Sequence, residues 1–207
     1  MARNPNELVR YTARERANHW LTAICFVLLA LSGLALFHPW FFPLSGLFGG
    51  GTWTRILHPY IGLIMTVSFL GLFFRFAAEN GLTATDRQWL GRLGTLISGD
   101  PHGMPEQGRY NAGQKVLFWI LSVCMLLLLA SGVVIWRAWW SLPVGLERLA
   151  VVVHAASAAV LIGFIFVHIY ASIWVKGSVR AMTRGTVSRA WAKQHHRAWY
   201  RQMTGKS

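Results

Sequence analysis

Four apolar runs, at about residues 18–37, 53–78, 112–136 and 147–175, constrain this chain more than any other feature of its sequence. Each reaches the roughly 20 residues that carry a helix across about 30 Å of hydrocarbon. A backbone in lipid has no water to bond, so a single span must satisfy its own N–H and C=O groups, which a helix does. The expected fold is an all-α integral membrane protein, a four-transmembrane-helix bundle. Composition agrees: 13% of residues are charged and the mean hydropathy is +0.40, where a soluble domain carries about 25% charge. His38-Pro39 closes the first helix and Leu142-Pro143 separates the third from the fourth, because proline breaks a helix interior. The fourth run is longest and contains Gly163, which leaves it room to tilt or project beyond the bilayer. The first run does not read as a secretion signal. It lacks an Ala-x-Ala-like cleavage site, and the polar segment before it is long.

The formal net charge of +13 is distributed as membrane topology requires, not as a nucleic-acid surface. Of the 20 Lys and Arg residues, 17 lie before the first run, around the central loop or in the tail. The other two loops hold only Arg55, Arg137 and Arg148. Positive residues favour the cytoplasmic side, so both termini and the central loop are expected there. The chain divides accordingly into a cytoplasmic N-terminal segment (1–17), a membrane domain (18–177) and a basic cytoplasmic tail (178–207). The tail has no acidic residue. It reads as a segment on anionic lipid headgroups, and equally as a docking surface for a partner subunit. Cys25 and Cys124 lie within apolar runs; two cysteines cannot ligate an iron–sulfur cluster alone, and no Cys-x-x-Cys-His haem attachment site is present. They read as small core- or lipid-facing residues.

Ionisable residues inside spans are costly and point to function, so the histidines are the next constraint. His19 opens the first helix on the cytoplasmic side and His58 opens the second on the outer side. The fourth carries His154 near its outer end and His168 deeper. Fourteen residues at 100° each leave those two side chains about 40° apart on one face and about 21 Å apart along the axis. Depth then pairs His168 with His19 and His154 with His58. Two opposed imidazoles with a flat space between them suit a haem iron whose axial positions are both filled, which is fitted to electron transfer rather than oxygen chemistry. The expectation is two b-type haems. The competing reading of each histidine singly is an interhelical hydrogen bond. His38, about 100° around the helix from His19, reads as interfacial, although it competes with His58 as a ligand. His102 reads as a loop residue in Gly99-Asp100-Pro101-His102-Gly103, and His195 and His196 as tail residues too far from the last span to reach a buried iron. Trp20, Trp53 and Trp174 read as interfacial anchors.

The segments carrying these histidines are ANHW at His19, RILHP at His58 and VHIYASIWVKGS around His168, joined by GRYNAGQK before the third helix, SGVVIW at its end and RAWAKQHHRAWYR in the tail. Together, and in this order over nearly the whole chain, they resemble the cytochrome b (gamma) subunit of respiratory formate dehydrogenases. The resemblance implies a multi-pass protein of the bacterial cell inner membrane. Its outer haem would be held by His58 and His154 and its inner haem by His19 and His168. A menaquinone pocket would be contacted by Asn111, Gly113 and Gln114. The implied partners are an iron–sulfur (beta) subunit and a catalytic (alpha) subunit that performs the formate chemistry, so this chain is not an enzyme on its own. Electrons would pass from the periplasmic side to menaquinone reduced on the cytoplasmic side, in anaerobic respiration. A higher oligomer is compatible with the resemblance. The sequence before Tyr11 and the Gly49-Gly50-Gly51 loop match no feature of that family.

On the residues alone, Asn111 and Gln114 supply amide donors and acceptors where Gly113 allows close approach, as a quinone requires. Asn111 is equally suited to capping the third helix. Two alternatives for the whole chain also stand: the cytochrome b of a hydrogenase-type complex, and a haem-free anchor or transporter. The apolar runs offer a transporter no buried acidic residue.

Overall fold

A computed structural model of the chain describes residues 4–97, 104–136 and 141–205. Arg3, Arg137, Lys206 and His102, with its Gly99–Gly103 stretch, lie outside the described residues. The four apolar runs are the helices α1 (Ala13–Phe37), α2 (Gly51–Phe76), α5 (Ala112–Trp136) and α6 (Val144–Trp174). All four are long and apolar enough to cross a membrane. Between the second and third spans lie two short helices, α3 (Ala84–Gly91) and α4 (Leu93–Ile97). The last span is followed by α7 (Ser178–Arg184), α8 (Arg189–His195) and α9 (Arg197–Thr204).

Local chemistry sets the helix ends. Thr12 and Glu15 form a capping box at the start of α1: the Glu15 amide donates to Thr12 Oγ1 at 3.3 Å and the Thr12 amide to Glu15 Oε2 at 2.8 Å. Helix α1 thus begins five residues before the apolar run and includes the charged turn that carries Glu15 and Arg16. At its other end His38 caps a 3-10 segment, Pro39–Phe48, its Nδ1 accepting from the Trp40 amide at 3.2 Å. Helix α3 opens on a second capping box, Thr83 with Asp86.

The chain forms two compact units. The membrane unit, Ala17–Phe73 with Ile120–Val167, takes the greater part of all four spans. Its core is Cys25, Met65, Cys124, Met125 and Leu161, with Leu29, Phe69 and Leu128 packed on it. Both cysteines are therefore core residues, and both are free thiols. A polar clasp joins α1 to α2: Asn18 Nδ2 donates to the Ser68 carbonyl at 2.9 Å and Ser68 Oγ to Asn18 Oδ1 at 2.7 Å. Much of the outer apolar surface, Val67 and Phe166 for example, is left uncovered by the chain, as a surface facing lipid would be.

The second unit comprises Met1–Arg16, Phe74–Trp119 and His168–Ser207. It therefore joins the three stretches that carry the positive charge. Strand β1 (Glu7–Val9) pairs antiparallel with β2 (Thr186–Ser188), Leu8 opposite Val187. This ribbon departs from the all-helical expectation. It forms because Gly185, at φ +80°, lets the chain turn against Tyr11: the Arg10 amide donates to the Gly185 carbonyl at 2.8 Å, and a Cβ at Gly185 would sit 2.6 Å from the Tyr11 carbonyl oxygen. The tail, expected as a separate basic segment, is folded here. Leu8, Ala181, Val187, Trp191, Ala192 and Trp199 form its core. A buried ion pair, Lys115 Nζ to Asp86 Oδ2 at 2.7 Å, ties α5 to α3. Burial alone would raise the Asp86 carboxyl, but hydrogen bonds from Lys115 and Thr83 outweigh it and hold the group below its usual range.

Candidate functional site

Within the membrane unit the structure brings His58 and His154 together, with ring centres 6.3 Å apart and planes at 62°. With metal–imidazole bonds of about 2 Å, two rings on opposite sides of one metal ion stand roughly 6 Å apart centre to centre. Ser32 Oγ lies 2.7 Å from His58 Nδ1, and Ser131 Oγ lies 3.0 Å from His154 Nδ1. Each hydroxyl has one proton. Ser32 gives its proton to the Leu28 carbonyl at 2.8 Å, and Ser131 to the Leu127 carbonyl at 2.5 Å. With the serine protons on those carbonyls, the oxygens are free to accept from the imidazoles, an arrangement that puts the hydrogen on Nδ1 and leaves Nε2 its lone pair. That is the tautomer a metal ligand needs. Glycines give the rings room: a Cβ at Gly33 would stand 3.4 Å from His58 Cε1, and one at Gly132 would stand 3.3 Å from His154 Cε1. The donor set therefore fits an axially ligated haem. Pro59 follows His58 within α2 and withholds the N–H that the Arg55 carbonyl would otherwise accept.

The remaining expected residues divide. His19 belongs to the membrane unit and His168 to the second unit, so their pairing rests on the argument from helix depth. Asn111, Gly113 and Gln114 do come together, at the start of α5. The Gln114 amide N–H donates to Asn111 Oδ1 at 2.9 Å, and the Asn111 N–H to Gln114 Oε1 at 3.0 Å. This is a reciprocal cap, which realises the helix-capping reading of Asn111. It engages both amide oxygens and leaves the NH2 groups as what the segment offers a ligand. A Cβ on Gly113 would stand 3.6 Å from the Trp89 ring. His38 serves as the cap described above.

Sequence reasoning missed two groups. The serines were hidden as ordinary polar residues of apolar helices. Their signal is an internal repeat: Cys25 to Gly33 reads CFVLLALSG, and Cys124 to Gly132 reads CMLLLLASG. His196 reads in the sequence as a tail residue, yet it is 2% exposed. Its Nδ1–H donates to the Gly108 carbonyl at 2.8 Å, and its Nε2 lies 3.4 Å from the Arg10 guanidinium. Arg10 is itself buried, with Trp191 and Trp199 ring centres each 5.1 Å from its guanidinium carbon. Arg10 and Arg109 exchange side-chain bonds to each other's carbonyls. One imidazole and one guanidinium thus join all three segments of this unit. Burial, then the Arg10 charge, push the His196 pKa down to about 3.

Four apolar helices around a facing histidine pair define a multi-pass membrane protein of cytochrome b type. The chain belongs to the prokaryotic cytochrome b561 family, whose model matches residues 10–185. Such cytochromes carry haem b. Among its relatives is the cytochrome b556(fdo) subunit of formate dehydrogenase from Escherichia coli strain K12, 44% identical over 95% of this chain and 93% of the relative. The nitrate-inducible formate dehydrogenase cytochrome b556(Fdn) subunit of the same strain is 40% identical over 95% and 91%. The formate dehydrogenase cytochrome b556 subunit of Haemophilus influenzae strain ATCC 51907 / DSM 11121 / KW20 / Rd is 36% identical over 96% and 84%.

Proposed function

We propose that this chain is the dihaem cytochrome b subunit of a bacterial formate dehydrogenase complex in the inner membrane, passing electrons from an iron–sulfur partner to menaquinone. The observation that carries the reading is the His58–His154 pair, its ring centres 6.3 Å apart and each Nδ1 within hydrogen-bond distance of a buried serine hydroxyl. Membership of a family whose relatives are named as formate dehydrogenase subunits supports the choice of complex. His58 and His154 hold the outer haem, and His19 and His168 the inner one. A haem held between such imidazoles would supply one-electron transfer. The chain's own residues do the rest. Ser32 and Ser131 orient the outer imidazoles. The NH2 groups of Asn111 and Gln114 meet a quinone carbonyl, with Gly113 opening the approach.

In this reading both termini and the central segment face the cytoplasm, where the quinone's two protons are taken up. The union of those segments in one compact unit favours that arrangement, since four spans return the chain to one side. Residues 1–17 and 178–207 flank a membrane domain of 18–177. Each electron moving inward against about 100 mV costs about 2.3 kcal/mol, which is stored as membrane potential. In the assembled complex, His168→Ala abolishes formate-driven menaquinone reduction and removes the inner haem, while formate-to-dye activity persists. Retention of two haems per chain and of menaquinone reduction in that variant would rule the assignment out.

A further inference from the structure

We propose that Ser32 and Ser131 are paired positioning residues that set how strongly His58 and His154 donate to a bound metal, a device duplicated in the two helix hairpins. The inference rests on the haem reading above and goes beyond it, because it assigns a role to residues that do not touch the iron. Three observations converge on it. Both serines occupy the same place in the CFVLLALSG and CMLLLLASG repeat. Each stands one residue before the glycine against which the ring edge packs. Each lies within hydrogen-bond distance both of the carbonyl four residues earlier, at 2.8 and 2.5 Å, and of an imidazole Nδ1, at 2.7 and 3.0 Å, so an oxygen whose proton goes to the carbonyl accepts from Nδ1–H.

Both hydroxyls are buried, Ser32 fully and Ser131 to 5% exposure, so the bonds act in a low-dielectric interior where they are strong. An acceptor on Nδ1–H shifts electron density toward Nε2 and makes the ring a better donor. A better donor stabilises oxidised iron over reduced iron and lowers the midpoint potential. The same bond fixes the ring's rotation, and the glycine beside the Cε1 edge leaves the ring room there. Serine therefore supplies both direction and basicity.

The test is a potentiometric titration of the purified full-length chain carrying Ser32→Ala, Ser131→Ala or both, with Ser157→Ala as a change of equal size at another buried serine of α6. Alanine adds no volume at either position. Each single variant raises the midpoint of one haem and leaves the other in place; the double variant raises the same one further. Haem affinity at that site falls about 10–100-fold, the usual cost of losing an outer-shell partner, and Ser157→Ala changes neither. If a variant loses haem altogether, the hydroxyl-bearing Ser32→Thr and Ser131→Thr decide: recovery of haem and midpoint supports the role, and no recovery overturns it. Unchanged midpoints and affinity in a fully loaded double variant also overturn it. A wild-type chain without haem b would instead sink the underlying reading.

Discussion

His58→Ala and His154→Ala are each expected to lower the haem content of the purified chain from two to one, and to remove the same haem. The ring centres lie 6.3 Å apart, so either substitution would leave an iron between them with one imidazole. His38, which competes with His58 in the sequence, is held in its cap by the Trp40 amide. Losing an outer-shell partner costs about 10–100-fold in affinity, and losing a ligand itself costs more. The two sites act as a unit, so the double variant should be no worse than either single one. The check is haem per chain, with the spectrum of the surviving haem compared between variants. Different surviving haems in the two variants would break the pairing.

Acidification is expected to loosen the second unit through His196. The unfolded chain takes up a proton near the ordinary histidine value of 6.5, whereas the folded side chain resists until about 3. Its contribution to stability is therefore fully present above 6.5 and is lost progressively as pH falls toward 3. Between pH 7 and 5 the loss is about 2 kcal/mol, confined to the unit that holds Trp191 and Trp199. The Arg10 charge, against Nε2, makes protonation unfavourable, and the preceding His195 adds to it. Tryptophan fluorescence and protease sensitivity of the tail in detergent report the change. His196→Gln keeps a donor for the Gly108 carbonyl and an acceptor for Arg10 without titrating, so it should flatten that dependence. A wild-type tail equally protected at pH 7 and 5 would contradict the assignment.

The spans were legible in sequence because lipid imposes one solution on an apolar run, and the third was read to its observed bounds, Ala112–Trp136. The start of α1 was read five residues late, since Thr12 and Glu15 cap a charged turn that hydropathy alone cannot register. That His58 and His154 come together was legible from helix depth. Their serine partners were not, because a serine bonded to its own helix carbonyl looks ordinary until the two hairpins are aligned. The second unit was the least legible part. Its core depends on pairing Glu7–Val9 with Thr186–Ser188, a contact between opposite ends of the chain that local pattern cannot foresee. The basic residues around Trp191 and Trp199 masked an apolar face, and His196 was judged by its distance from the last span rather than by what it could bond.

The central claim is that imidazoles from separate spans hold two haems in one chain. Its most direct test is a pyridine haemochrome measurement on the purified wild-type protein, scaled to chain concentration. The account predicts b-type haem at two per chain. A value of one would leave either the His19–His168 or the His58–His154 site without its cofactor, and a protein free of haem would contradict the account as a whole.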